Sequence, residues 1–258
     1  MPAKRTNLGQ LFCTKLYFNL KSESHRNRLG YLWWILEPSV HVAAFYFVFQ
    51  VLLERGTEHF VVFLLCGNIP FLWFSKSVSN SVESITGGRG VISQVAIPKA
   101  FFPLLVVSQD AIKQIFVFGA LFAFLIIYGF PPDSSWLYVP VVAGTQLSLI
   151  IAAAMVVAGI RPFFPDIKII IGSTMTLLMF VSGVFYSYEH VIDPQYQRLF
   201  LLNPLASLIK NYRTVLIDGS APDMQALFWI FCVSLVITMA MLMLFNRLDS
   251  KYARLVIQ

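Results

Sequence analysis

Along most of this chain the apolar residues neither alternate nor recur in a narrow helical stripe. They run on without a break. Six stretches, roughly 31–53, 60–80, 103–129, 137–160, 167–187 and 226–246, come close to the ~20 apolar residues that a helix needs to cross about 30 Å of hydrocarbon. Lipid leaves free backbone groups unsatisfied, so helices are the expected form of each crossing. A membrane barrel would demand polar and apolar residues in strict alternation, whereas Leu121 to Ile127 is apolar on both faces. Before the first stretch, Leu8, Leu11, Phe12, Leu16 and Leu20 recur at helical spacing opposite Gln10, Thr14, Lys15 and Lys21. That pattern predicts an amphipathic helix on the inner leaflet, with Asn7 as its N-cap. Between the fifth and sixth stretches, 188–225 is too long for a hairpin turn. Within it, Leu199 to Ile209 is apolar for only half a crossing, is interrupted by Pro204 and is followed by Lys210 and Arg213. It is expected to form short re-entrant helices lying at the outer interface.

Composition narrows the class. The chain of 258 residues is 57% hydrophobic and 12% charged, with a mean hydropathy of +0.71. Soluble domains carry about a quarter charged residues. The 24 Phe, ten Tyr and five Trp exclude a disordered chain. The expected fold is therefore an all-α integral membrane protein, one domain over 1–258. Residues 1–30 form a cytoplasmic interface segment, 31–246 the six-span region and 247–258 a cytoplasmic tail. No cleavable signal peptide is expected, because Lys15 and Lys21 precede the first strongly apolar run. The net charge of +6 is distributed by topology and requires no nucleic acid. Lys4, Arg5, Lys15, Lys21, Arg26, Arg28, Lys76, Arg89, Lys99, Arg161, Lys168, Arg247, Lys251 and Arg254 fall on one side; only Arg55, Arg198, Lys210 and Arg213 fall on the other. Positive loops stay inside, so both termini are expected in the cytoplasm. Cys13, Cys66 and Cys232 have no metal-ligand spacing and are expected as small buried side chains.

Candidate chemistry is sparse. Glu37 and His41 lie four apart within the first span and share a face, as a functional site or as a packing pair. Asp110 and Lys113, three apart in the third span, look like a self-neutralising pair. There is no GxSxG, HExxH or paired-carboxylate site, so no enzyme is expected. Gly87-Gly88-Arg89-Gly90 lacks the Lys and Ser/Thr of a phosphate-binding loop, and its glycines are expected to permit a sharp bend. The loop from Lys76 to Pro103 is too polar at its front to span. In it, Ser81 to Ile85 are expected to form a short helix with Glu83 facing the cytosol, a shape that could dock a soluble partner. Arg161 to Asp166, stiffened by two prolines, offers a second docking turn. Aromatic residues cluster in the first span (Tyr31, Trp33, Trp34, Phe45, Tyr46, Phe49) and at the end of the fifth (Phe180, Phe185, Tyr186, Tyr188).

The run Leu29-Gly30-Tyr31-Leu32-Trp33-Trp34-Ile35-Leu36-Glu37-Pro38, following a basic amphipathic helix, resembles the first-span signature of ABC type-2 permease subunits, nearest to the exporters of capsular polysaccharide and O-antigen. Leu65-Cys66-Gly67-Asn68-Ile69-Pro70-Phe71, Pro98-Lys99-Ala100 and Leu202-Asn203-Pro204-Leu205 extend the resemblance over the whole chain. It implies a homodimer in the bacterial inner membrane with two copies of an ABC ATPase on the cytoplasmic side. The partner would use the ATP and Mg, and this chain would bind no cofactor. The cargo would be lipid-linked polysaccharide, with membrane lipid around it. The resemblance further implies an ATPase-coupling loop at Ser81, Glu83, Ile85 and Arg89 and an outer gate at Asn203 and Pro204. It also implies channel-lining rings at Phe45, Tyr46, Phe49, Phe180 and Tyr186. Export of teichoic acid, a lipid or a drug are alternatives within the same class. A proton-coupled secondary transporter using Glu37 and His41 is the alternative outside it.

Overall fold

The computed structural model describes residues 8–26, 30–52, 59–92 and 97–257. Its elements follow in chain order. α1 (Leu8–Arg26) is followed by a 3-10 turn (Gly30–Leu32), α2 (Trp33–Tyr46) and a π-helical stretch (Phe47–Leu52). Next come α3 (Phe60–Ser81), α4 (Ser84–Gly87), α5 (Arg89–Ile92) and α6 (Phe101–Ile127). A 3-10 turn (Ser134–Tyr138) leads into α7 (Val139–Ile160) and then α8 (Ile167–Val181). α9 (Tyr188–Val191), α10 (Pro194–Phe200), α11 (Pro204–Leu216), α12 (Met224–Arg247) and α13 (Asp249–Ile257) complete the chain. Among the described residues there is no strand. Four helices among those residues are long and apolar enough to cross a membrane: Phe60–Ser81, Phe101–Ile127, Ser134–Ile160 and Met224–Arg247. The 27 residues of α6 reach about 40 Å, longer than the hydrocarbon core, so one end can project beyond it.

Two expectations need correction. The fifth apolar stretch does not stay helical to 187. α8 ends at Val181 after 15 residues, and Gly183 adopts a left-handed φ of +70° that turns the chain out of the helix. The helices of 188–225 do not all lie on the surface. α11 is buried between α3 and α7, with Leu205, Leu208, Ile209, Tyr212 and Val215 in the main core. Tyr212, fully buried, stacks on Phe118 of α6 at 5.7 Å. Pro204 opens this helix rather than interrupting one. It occupies the first turn, where its missing N–H strands no partner, while the Asn203 side chain accepts from Leu205 N–H at 3.0 Å.

A second, smaller core closes the end of the bundle where α1 and α13 meet, the inner end in the topology expected from the charges. Ile85, Ile92, Phe101, Phe102 and Met155 meet Phe245 and Tyr252 there, and Leu11, Phe12 and Leu16 of α1 pack against them. The tail is therefore not loose. α13 folds back so that Tyr252 O–H donates to Gly159 C=O at 3.0 Å, and the buried Lys99 pairs with Asp249 at 3.0 Å. Cys66 is buried as expected, but Cys13 is exposed on α1.

In the glycine cluster Gly88 alone serves packing, since a Cβ at Gly87 or Gly90 would meet nothing, and none of the three has a left-handed φ. Gly88 has an ordinary φ of −78°, yet a Cβ there would lie 2.3 Å from the Phe102 ring. Gly88→Ala should therefore destabilise the protein by about 1–3 kcal/mol through overpacking. A lowered midpoint of denaturant unfolding in detergent, partly restored by adding Phe102→Leu, checks this; an unchanged midpoint would show that the ring has room to move.

Candidate functional site

The expected site residues fall into an outer and an inner cluster, with a separate charged contact elsewhere on α6. Glu37 and His41 lie in α2, as do Phe45 and Tyr46, and Phe49 lies in the π-helical stretch. The side chains of these five, and Asn7, lie outside the described residues.

The outer cluster is organised by Arg213 of α11. Its guanidinium reaches back into the protein and donates to Gly183 C=O at 2.8 Å, Val184 C=O at 2.7 Å and Phe63 C=O at 3.3 Å. It also sits over the Phe63 ring, 3.4 Å from the centroid. One side chain thus ties α3, α11 and the turn after α8, and the fork geometry of arginine makes this possible. Space for it comes from Gly67 in α3, where a Cβ would stand 2.5 Å from an Arg213 nitrogen. The charge was legible in the sequence, but its position on the outer loop suggested water rather than burial. The signal that could have located it was a lone Arg flanked by Tyr212 and Val215, together with a glycine inside an otherwise bulky span.

Around this clamp lies a cavity of about 160 Å³ lined by Tyr186, Tyr188, Phe200, Glu189, Lys210 and Asp218, among others. Tyr188 stacks on Phe200 at 5.6 Å with Lys210 Nζ 5.9 Å above its ring. Tyr186 O–H donates to Phe180 C=O at 3.0 Å, and Asn203 Nδ2 donates to Ser182 Oγ at 3.0 Å. Two of the expected rings, Phe180 and Tyr186, and the expected gate residue Asn203 are therefore neighbours of one turn. Burial, with the Glu189 carboxylate beside it, pushes the Tyr188 phenol up to about 12, so it remains a neutral donor at any physiological pH. Phenol hydroxyls, ring faces, a carboxylate and an ammonium make a surface suited to weak contacts with a hydroxyl-rich ligand.

At the inner cluster the four expected coupling residues divide. Ser81 and Ile85 are buried: Ser81 O–H donates to Ser77 C=O at 2.7 Å, and Ile85 belongs to the inner core. Glu83 and Arg89 face the surface. Glu83 is more than an exposed side chain. Its carboxylate accepts from Lys168 Nζ at 3.0 Å and lies 3.6 Å from an Arg161 nitrogen. The two turns expected as separate docking points are therefore one surface. On α6, Lys113 pairs with Asp110 at 3.2 Å as expected, and also with Glu23 of α1 at 2.6 Å. Glu23 was invisible as a partner because 90 residues separate the two in sequence. This contact and the apolar face of α1 fix that helix to α6.

Arg213→Lys should lower stability, because a compact ammonium lacks the planar fork that reaches the carbonyls of Phe63, Gly183 and Val184 together. Leaving Gly183 or Val184 C=O without its donor costs roughly 1–3 kcal/mol each. Unfolding midpoints of Arg213→Lys and Gly67→Ala measured side by side test this; equal stability to the parent in both would dismiss the clamp. The hydrogen bond from Lys168, helped by Arg161, holds the Glu83 carboxyl below its ordinary 4.5. The stability it contributes is complete above that ordinary value and fades as pH falls through the lowered one. A Glu83→Gln, Lys168→Met double-mutant cycle should give a coupling under about 1 kcal/mol at neutral pH, disappearing in 1 M salt and in acid. A coupling indifferent to both conditions would mean that the contact is not ionic.

Comparison with known proteins fits these features into one family. The chain is 24% identical to the O-antigen export system permease protein RfbA of Klebsiella pneumoniae, over 96% of this chain and 97% of that one. It is 27% identical to the protein of the same name from Myxococcus xanthus, over 91% and 90% of the two chains. It is 24% identical to the polysialic acid transport protein KpsM of Escherichia coli, over 81% and 82%. The family described as ABC-2 type transporter matches residues 10–217, most of the sequence, and the chain belongs to that family.

Proposed function

We propose that this chain is the permease subunit of an ATP-driven exporter that moves a lipid-linked polysaccharide, of the capsule or O-antigen type, from the cytoplasm across the bacterial inner membrane. The observation that carries this reading is the likeness, along nearly the whole chain, to permeases named for O-antigen export and for polysialic acid transport. In the proposal 1–258 is one unit that crosses the membrane six times with both termini inside. The four long helices, the α2 segment and the short α8 supply the crossings. Hydrolysis belongs to an ABC ATPase bound in two copies, which takes up ATP and Mg.

A second copy of the chain is part of the proposal. A hydrophilic polymer cannot cross hydrocarbon, so the wet path must be enclosed between protomers. α8 supports this, because it buries only Met175 and leaves Ile169 at 72% and Leu177 at 65% exposure in the single chain. Phe180, half exposed at the outer end of that face, and Tyr186 would line the path. Phe45, Tyr46 and Phe49 would contribute from the first span, with Glu37 and His41 packing its inner half. Weak stacking, roughly 1–3 kcal/mol per ring by analogy with bases, holds a sugar without trapping it. Asn203 and Pro204, at the start of α11, would form the outer gate. On the inner side the ATPase would press on Glu83, Arg89 and α1. Because Glu83 is ion-paired to Arg161 and Lys168, that force would reach α7 and α8 together.

Coexpression with the partner ATPase, scoring surface polymer and permease-stimulated ATP hydrolysis, tests the reading. Removing residues 1–28 or introducing Glu83→Gln should depress both signals, and Phe180→Ala should slow export on the order of tenfold, the effect of about 1.4 kcal/mol. Unimpaired export after both inner changes, or transport by the purified chain alone, would overturn it.

A further inference from the structure

Two cavities lie end to end between α2 on one side and α3 and α6 on the other. The inner one, about 240 Å³, is walled by Trp33, Trp34 and Trp73 and by polar side chains. The outer one, about 380 Å³, is lined by Ile35, Ala43, Leu65, Ala120 and Phe124 among others, with Ser39 as its one hydroxyl. That hydroxyl is already used, donating to Ile35 C=O at 2.8 Å. Ile69 and Val117 line both cavities, so the two form one crevice, polar at its inner end and apolar beyond. Ser39 and Ala43 are exposed, which opens the apolar arm to the flank of the bundle.

The inner arm has unspent hydrogen-bonding capacity. Trp73 Nε1, Ser77 Oγ and Gln114 Nε2 have no partner among the described residues, although their side chains are 6%, 0% and 7% exposed. All three can donate, and buried donors left unmatched are penalised, so the arm calls for an acceptor. Its charges are balanced: Lys76 and Lys113 against Glu23 and Asp110, with Lys113 holding both carboxylates and Asn80 Nδ2 donating to Asp110 at 3.0 Å. Water could satisfy the inner donors but would leave the apolar arm empty. A molecule with an accepting head and a hydrocarbon chain suits both arms, and a head carrying both signs matches the balanced wall.

We infer that this crevice holds the head and one acyl chain of a zwitterionic phospholipid. The phosphate accepts from the Trp73, Ser77 and Gln114 side, and the head ammonium lies toward Glu23 and Asp110. With the termini inside, the lipid comes from the inner leaflet. It joins α2 to α3 and α6, and through Glu23 it touches the contact that holds α1.

The site goes beyond the exporter reading and does not depend on the cargo. The test is native mass spectrometry of the full chain released from nanodiscs of equimolar phosphatidylethanolamine and phosphatidylglycerol. One phosphatidylethanolamine should stay on each chain in preference to phosphatidylglycerol. Ala120→Trp, which fills the apolar arm, should reduce retention roughly tenfold, as about 1.4 kcal/mol of lost contact would. Gln114→Met, which removes one donor and keeps the chain length, should reduce retention severalfold and guards against a misfolded Trp variant. Retention unchanged in both variants overturns the site, and retention of phosphatidylglycerol or of a polyprenyl phosphate instead overturns the zwitterionic head. Lipid retained by a wild-type complex that exports no polymer would sink the exporter reading alone.

Discussion

A guanidinium held away from water by backbone carbonyls is the interaction on which the outer half of this protein depends. Arg213 directs its N–H groups at backbone carbonyls and so completes hydrogen bonding for the turn that α8 leaves unfinished. In a low-dielectric setting those carbonyls have no water to turn to, so the cation and the turn stabilise each other. Gly67 on α3 and the left-handed Gly183 after α8 are the two places where a side chain would prevent this fit. From this one contact follow the early end of α8, the burial of α11 and the grouping of Tyr186, Tyr188 and Phe200 around one cavity.

The inner half is held by a different principle. There the contacts are ionic and partly exposed: Glu83 with Lys168 and Arg161, Lys99 with Asp249, and Lys113 with Glu23. Exposed pairs are individually weak. Their effect is to join the α3–α6 connection, the α7–α8 turn, the tail and α1 into one surface that moves together. The outer clamp is thus buried and hydrogen-bonded, whereas the ionic contacts at the other end are open to salt and pH. The apolar flanks of α8 and α12 face outward from this frame. On α12, Phe228, Trp229 and Val236 are exposed, as a helix turned toward lipid requires.

Much of this was legible in the linear chain. Hydropathy placed the four long helices within a few residues, because a run of apolar residues long enough to cross hydrocarbon has few other stable fates. The spacing of Leu11, Phe12 and Leu16 marked the packed side of α1, although Leu8 of the same stripe is exposed, and Asp110 with Lys113 marked an ion pair one turn apart. The inner docking turns were each visible as polar breaks, although their union through Glu83 was not.

What the sequence determined by itself, then, was a lipid-embedded helical chain, the approximate limits of its crossings and its kinship, since these follow from local composition and from motifs read in order. Tertiary structure alone decided that Arg213 turns inward, that Glu23 meets Lys113, that Pro204 starts a buried helix and that Gly88 exists for the Phe102 ring. Each of these joins residues far apart in the chain, and hydropathy, which measures only the preference of a segment for oil or water, carries no information about which segments meet.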